Sequence, residues 1–361
     1  MSIHQHALGQ HYSERAEDLL VGVERPPKNA VVIEPFAGQG DLLKWLGPGY
    51  ITVAYDIEPK APNVITRDTL ANPPKYAGSY VITNPPWLAK NKSEDKQLFE
   101  KWGTDDLYKC FMKSLMRDPP MGGIIIIPLN FLSGVRDSEK KRRQEFFTVF
   151  KPTRINIFEE AMFEDTDYLT LVIEFKHRIT GRQKMDEPWE FNYYPSKITE
   201  TRIIKNGHFP GENAFETRYT QTPKKQIPIR RHEDTKQIDP KKEFLTHIFL
   251  EALDSGVSTT PGDGRIGLRL LPQGETYVGK STSRSKAQIV LNGVLSRKLQ
   301  QRVVDDFNKW IESWRTETRS MFLPIFREAK DYPRRRIPFE LAYEAIQRII
   351  WSYYETPTAC V

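Results

Sequence analysis

Cysteine is nearly absent from this chain of 361 residues, where Cys110 and Cys360 stand alone. Two thiols so far apart in sequence make neither a disulfide framework nor a zinc ligand set, so no metal is expected. Long hydrophobic runs are missing too. No stretch approaches the ~20 apolar residues that span a bilayer, so a membrane is not an expected partner. The opening Met1-Ser2-Ile3-His4-Gln5-His6 lacks a basic segment followed by an apolar one. It reads against secretion and for a cytoplasmic or host-DNA-associated protein. Internal repeats and long low-complexity tracts are also lacking. What remains is globular in character, with 39 % apolar and 11 % aromatic residues, enough for packed cores and too many for a disordered chain. At this length two domains are expected.

Charge divides the chain unevenly. Residues 1–180 hold 23 Lys and Arg against 24 Asp and Glu, whereas residues 181–361 hold 30 against 23. A near-neutral half followed by a basic half suggests a catalytic domain joined to one that binds a polyanion.

The first half alternates short apolar runs with amphipathic segments, the pattern of an α/β sheet with helices on both faces. Strands are expected at Val31–Glu34, Ile51–Tyr55, Asn63–Thr66, Tyr80–Thr83, Gly123–Pro128, Arg154–Phe158 and Leu169–Phe175. Helices are expected at Gln39–Leu46, Asp105–Met116 and Ser138–Val149. The unbroken Ile124-Ile125-Ile126-Ile127 suits a strand covered on both faces. After about Lys176 the chain turns polar, and the boundary is drawn at residues 1–178 and 179–361. The second part carries two helical stripes, one from Leu295 through Val303, Phe307 and Ile311 to Trp314, the other from Phe339 through Ile346 to Tyr353. It is expected to be a mixed α+β domain.

Two turns carry the chemistry. The first strand runs into Glu34-Pro35-Phe36-Ala37-Gly38-Gln39-Gly40. Gly38 and Gly40 let the backbone turn tightly beside a ligand, and the helix that follows aims free N–H groups at it. The Glu34 carboxylate suits an ammonium group, which a phosphate could not supply. That choice favours S-adenosylmethionine over a dinucleotide. Asp56, next to Ile57 at the end of the second strand, is placed to accept from both ribose hydroxyls. Asp68, after the third strand, is a candidate acceptor for the adenine amino group, with a turn-capping role as the alternative. Ala37, Ile57 and Asn84 are further expected cofactor contacts.

The second turn, Asn84-Pro85-Pro86-Trp87, follows the strand Tyr80-Val81-Ile82-Thr83. An exocyclic amino group such as adenine N6 is a poor nucleophile because its lone pair is delocalised into the ring. The Asn84 side-chain oxygen and the Pro85 carbonyl are suited to grip its two hydrogens and free that lone pair. Pro85 and Pro86 stiffen the turn, which is electrostatic preorganisation more than base catalysis. Trp87 offers a flat face for a base removed from its stack.

These two turns together make the chain resemble the gamma-class N6-adenine DNA methyltransferases of bacterial and viral modification systems, over about residues 7–176. The segment Gly122-Gly123-Ile124 through Pro128-Leu129-Asn130 resembles that family's Gly-Gly-strand-Pro segment, and Asp106-Leu107-Tyr108 its helix beside the cofactor adenine. Ala7 through Ser13 resembles an opening segment that lies over the methionine end of the cofactor, which makes Tyr12 a cofactor contact. Phe163 falls where the family has a second aromatic residue against the flipped base. The resemblance implies a Rossmann-like S-adenosylmethionine-dependent sheet, a C-terminal target-recognition domain, double-stranded DNA as partner, and a cognate restriction endonuclease acting on the same site.

In the basic half, Lys224, Lys225, Arg230, Arg231, Lys241, Lys242, Arg334, Arg335 and Arg336 are candidates for phosphate contacts. Arg265, Arg269, Arg284 and Gln288 are candidates for reading bases. Methylation of an RNA adenine or a protein glutamine stays open as a second enzymatic reading, and an inert DNA-binding module as a non-enzymatic one. The oligomeric state and the recognition sequence are not legible.

Overall fold

The computed structural model describes residues 13, 15–164, 166, 168–178, 187–204, 209, 214–215, 218–256, 258–327 and 334–355. They fall into two compact units that divide between Phe209 and Pro210.

The first unit is built on one sheet. Its strands are β1 (Val31–Glu34), β2 (Ile51–Asp56), β3 (Val64–Thr66), β4 (Tyr80–Thr83), β5 (Gly122–Pro128), β6 (Phe150–Phe158), β7 (Thr170–His177), β8 (Glu187–Tyr194) and β9 (Ile198–Ile204). They lie in the order β3-β2-β1-β4-β5-β7-β6-β8-β9. The pairs β2–β3, β1–β2, β1–β4 and β4–β5 are parallel, while β7 runs antiparallel to both β5 and β6. Helices α1 (Ala16–Leu19), α2 (Asp41–Leu46), α3 (Gln97–Trp102), α4 (Leu107–Arg117), α5 (Asn130–Ser133) and α6 (Asp137–Val149) connect them. The chain works outward from β1 to β3 and then returns to lay β4 on the other side of β1. Right-handed crossovers on the two sides of that reversal send α2 and α4 to opposite faces. This is a Rossmann-like α/β fold. The crevice beyond the carboxyl ends of β1 and β4 is its topological switch point, where such sheets bind ligands.

The central strands are apolar for a physical reason. Every residue of β4 and β5 is buried, as expected where helices cover both faces. A cluster of Phe146, Phe147, Phe150 and Phe175 packs α6 against the sheet. The sheet continues beyond the expected boundary at residue 178. β8 adds parallel to β6, and β9 adds antiparallel to β8. The buried Arg178–Glu187 pair, at 2.6 Å and 3.0 Å, ties β8 to the strand before it. Phe209 then packs on Phe147 and Trp189. Alternating Trp189, Phe191 and Tyr193 point inward, a two-residue period that the polar composition around it obscured.

The second unit holds an antiparallel sheet of β10 (Ile229–Arg231), β13 (Lys286–Asn292), β11 (Glu243–Glu251) and β12 (Gly267–Leu270), in that order. Helix α7 (Arg297–Thr318) buries Val303, Val304, Phe307, Trp310, Ile311 and Trp314, the stripe its sequence spells. Ser296 caps it by accepting from the Leu299 amide at 3.2 Å. Helix α8 (Phe339–Glu355) buries Ala342, Ala345, Ile346, Ile349 and Ile350. A short pair, β14 (Ile325–Arg327) and β15 (Arg334–Arg335), completes this α+β unit.

Close packing around β5 yields a test. A Cβ on Gly123 would lie 2.7 Å from Phe175 Cζ and 2.7 Å from the Val81 carbonyl oxygen. Gly123→Ala should cost about 1–3 kcal/mol of first-unit stability by overpacking. Urea denaturation followed by tryptophan fluorescence measures it, and an unchanged midpoint would contradict the packing described.

Candidate cofactor and catalytic site

The turn after β1 is bound to its neighbours strand by strand. The Ala37 amide donates to Tyr55 O at 2.8 Å, and the Lys60 amide to Gly38 O at 3.2 Å. Gly38 and Gly40 both have positive φ, +49° and +78°, so the backbone there takes a shape that glycine adopts without strain. Gly40 stands directly before α2, whose first turn faces the same crevice.

Asp56 fixes this turn. One carboxylate oxygen accepts from the Gly38 amide at 2.8 Å and the other from the Glu58 amide at 2.8 Å. Each oxygen keeps a further lone pair for a ligand. Burial raises the Asp56 pKa, and these two amides pull it back. Glu34 lies deeper, 1 % exposed. Burial drives its pKa up to about 8, against the lowering influence of Thr83 and the Phe36 amide. That influence of Thr83 falls short of a hydrogen bond to Glu34 Oε2, which has no partner among the described residues. An orphaned carboxylate oxygen at the end of a strand is a costly feature unless a cation meets it.

A cleft joins these groups, with an empty volume of about 880 Å³ that includes its open mouth. Of the residues expected to hold a cofactor, Glu34, Ala37, Gly38, Asp56, Ile57, Asp68 and Asn84 line it. Pro86 from the second turn lines it as well. Gly40 lies just behind, as the residue before α2. Asp68 does cap a turn, accepting from the Leu70 and Ala71 amides at 3.0 Å and 2.8 Å through one oxygen. Its side chain therefore takes the local role and still borders the cleft. Tyr12 lies outside the described residues, but Ser13 next to it lines the cleft and accepts from Asn84 Nδ2 at 3.3 Å.

Of the apolar wall, sequence reasoning had only Leu107, through the helix that resembles the one beside the cofactor adenine. Phe36, Leu42, Leu70, Leu98 and Leu107 line the same cleft, and Phe36 rests edge-on against Phe111 at 5.1 Å. Leu98 belongs to α3, a helix too short to announce itself by periodicity. Phe36 was legible as part of the turn, yet its ring gave no sign of facing a ligand.

The catalytic candidates form the next layer. Asn84 and Pro85 are buried, and Trp87 is buried beside them. Trp87 meets Phe163 edge to face, with centroids 5.2 Å apart and planes at 89°. The two aromatic residues picked out from distant parts of the sequence thus come together. Trp87 also borders a second hollow with Asp106, Tyr108, Asn130 and Tyr168. Burial lifts the Asp106 pKa to about 7 there.

The candidate DNA contacts fare differently. Arg230 is clasped by Glu243 at 2.7 Å and 2.6 Å, and Arg231 by Glu233 at 2.7 Å together with the Ser281 and Ser283 carbonyls. Arg335 is half-buried and donates to the Phe322 and Leu323 carbonyls, and the loss of solvent around its guanidinium lowers its pKa to about 10. Arg336 is buried and Arg334 half-buried. These arginines hold the second unit together, because a guanidinium supplies several donors to a crowded interior. Two of the candidate base readers are also used internally. Gln288 is buried between the Tyr277 amide and the Thr246 carbonyl, and Arg265 pairs with Glu312 at 2.6 Å. Arg269 lies over the Phe249 ring at 4.5 Å. Arg284 is exposed.

No family model and no curated protein matches this chain. Solved structures overlap it only loosely. One is a modification subunit of a putative type I restriction enzyme from Vibrio vulnificus YJ016, with 13 % identity over 54 % of this chain and 56 % of that one, TM-score 0.40. A putative class I S-adenosylmethionine-dependent methyltransferase from Listeria monocytogenes gives 16 % identity over 49 % and 61 %, TM-score 0.37. The type IIG restriction endonuclease BpuSI gives 14 % identity over 88 % of this chain and 46 % of its own, TM-score 0.38. The matched parts thus make up about half of each of these proteins. The fold reading rests on the strand order itself.

Glu34 generates a prediction about pH. Its folded pKa, about 8, lies above the ordinary 4.5, so the folded chain holds a proton that the unfolded chain releases. Stability must therefore fall as pH rises from about 4.5 to about 8. Asp106, raised from 3.8 to about 7, acts in the same direction. Glu34→Gln should lose much of this decline, so that its urea midpoint at pH 8 rises relative to the wild type. Parallel midpoints at pH 5 and pH 8 would contradict the burial assigned to Glu34.

Proposed function

We propose that the chain transfers a methyl group from S-adenosylmethionine to the exocyclic N6 of adenine in a specific duplex DNA sequence, with the target base swung out of its stack. The observation that carries this reading is the meeting of Glu34, Asp56 and Asn84 in one cleft at the switch point of the sheet. They come from the ends of β1, β2 and β4, and each offers an acceptor. The orphaned Glu34 oxygen fits an ammonium group. Asp56 fits vicinal hydroxyls. The wall of Phe36, Leu98 and Leu107 fits a purine ring.

When bound, S-adenosylmethionine supplies an electrophilic methyl group on a sulfonium. The chain's residues do the rest. Glu34 would orient the ammonium end of the cofactor and Asp56 its ribose, and the Gly38 turn allows close backbone approach. Asn84, with the Pro85 carbonyl, accepts from the target amino group and draws it toward a pyramidal nitrogen. Because both acceptors are fixed by the turn, little reorganisation remains at the moment of transfer. Trp87 stacks on the extruded base, and Phe163 bounds the same space from its edge. Burial of Asn84 and Trp87 keeps water from competing for the amino group. The proton shed by the amino group after transfer leaves to solvent, since no strong base is needed once the nitrogen is cationic.

The basic second unit favours a long polyanion over a protein tail as substrate, and a restriction endonuclease acting on the same sequence is the partner this activity implies. DNA from cells that express the chain, sequenced by a method sensitive to methyladenine, would report the modified base together with its context. Modified adenines at a recurring sequence support the reading, and their absence removes it.

Four variants divide the roles. Asp56→Ala should weaken S-adenosylmethionine binding by about 1–3 kcal/mol, the cost of unpaired hydroxyls, and calorimetry giving equal affinity would remove the ribose assignment. Binding should also strengthen as pH rises from 6 to 8, because a cation displaces the proton of Glu34, and Glu34→Gln should abolish that dependence. Asn84→Ala should slow single-turnover methylation about 10²–10³-fold with cofactor affinity retained. An undiminished rate would end its catalytic role. Trp87→Ala should chiefly weaken capture of the base, by about 1–3 kcal/mol.

A further inference from the structure

With Arg230, Arg231 and Arg335 engaged by carboxylates and carbonyls and Arg336 buried, the freely exposed basic charge of the second unit lies elsewhere. Strand register shows where. Ile229 pairs with Leu291, and Glu243 pairs with Asn292. The segments before β10 and β11 and the one after β13 therefore emerge from the same end of the sheet. Each carries a basic pair: Lys224-Lys225, Lys241-Lys242 and Arg297-Lys298. All six side chains are exposed. Among the described residues, only Lys242 of the six approaches a carboxylate, Asp239 at 3.8 Å, and the nearby Glu243 is already spent on Arg230.

At the opposite end of the same sheet Lys286 pairs with Glu251 at 3.5 Å. Six exposed cations set against the single acid Asp239 repel one another, a cost that a polyanion would turn into attraction. Among them Val294 is 76 % exposed, an apolar side chain in the turn between β13 and α7 with nothing over it.

We propose that this end of the sheet is the surface that grips the phosphate backbone of duplex DNA, an assignment that rests on the DNA reading above. The Lys and Arg heads pair with phosphate oxygens along the duplex, and Val294 lies between them, placed to meet the groove. The internal arginines act one step back. Arg230, bound to Glu243 and to the Gln237 carbonyl at 3.1 Å, holds the Asp239–Lys242 segment against β10, so it positions the lysines and makes no phosphate contact.

The test is binding of a fluorescein-labelled DNA duplex by the full chain across a salt series. Each lost phosphate contact flattens the log–log salt dependence by about 0.9. Replacing all six cations by Ser should flatten it by about 3–5, and replacing Lys224 and Lys225 alone by about 1–2. Lys280→Ser with Arg284→Ser, about 20 Å away along β13 by strand rise, should leave the slope unchanged. Melting curves and S-adenosylmethionine affinity, both expected to match the wild type, establish that the variants are folded. An unchanged slope in the six-fold variant, while the wild type binds DNA, overturns the assignment of this surface alone. Failure of the wild type to bind duplex DNA, or tighter binding to an RNA duplex of the same sequence, overturns the DNA reading and this surface with it.

Discussion

The hydrogen bond from the Gly38 amide to the Asp56 carboxylate, 2.8 Å long, ties the turn after β1 to the end of β2. Without it the turn would be one of many glycine-bearing loops. With it, the backbone that approaches a ligand and the acid that faces the same ligand become a single rigid part. The Thr69 hydroxyl extends the connection by donating to Pro35 O at 3.0 Å, so the turn after β3 is drawn in as well. Three consecutive strand ends are thereby locked together, and the cleft exists before anything enters it. Glu34 can stay buried with an unmatched oxygen only because these neighbours hold its strand in place. The strain of that burial shows in its raised pKa, and a cation placed there would relieve it.

The second turn depends on the first. β4 lies beside β1, so Asn84 opens into the space that Glu34 and Asp56 define. Ser13 reaches Asn84 across that space. Behind it, the contact of Trp87 with Phe163 joins the end of β4 to the segment before β7. The antiparallel β7 is what makes this meeting possible, because its start lies at the same end of the sheet as the finish of β5.

Much of this was legible in the residues. Seven strands of the first sheet could be read because each is a short apolar run between turns, most plainly Ile124–Ile127, whose unbroken apolar character suits a strand covered on both faces. Glu34, Asp56 and Asn84 stood out because each ends such a run with a polar group that a plain turn does not need. The extension through β8 and β9 was hidden, since a sheet flank that alternates Trp189, Glu190, Phe191 and Asn192 looks polar in composition. The arginine clusters misled for a related reason. A run such as Arg334-Arg335-Arg336 looks like surface charge, but the fold spends Arg335 on main-chain carbonyls. The exposed lysines at the far end of β13 could be grouped only through strand register. Their three pairs are scattered over more than seventy positions of the chain.

The account's central claim is that the cleft delivers a methyl group to an adenine amino group gripped by Asn84. Incubating the protein with S-adenosylmethionine bearing a deuterated methyl group and a mixed-sequence duplex DNA, then digesting to nucleosides for mass spectrometry, addresses it directly. The account predicts the heavy methyl on N6 of deoxyadenosine and nowhere else, with Asn84→Ala leaving almost none. Label on cytosine N4, on the protein, or on no nucleoside at all in the presence of bound cofactor would contradict it.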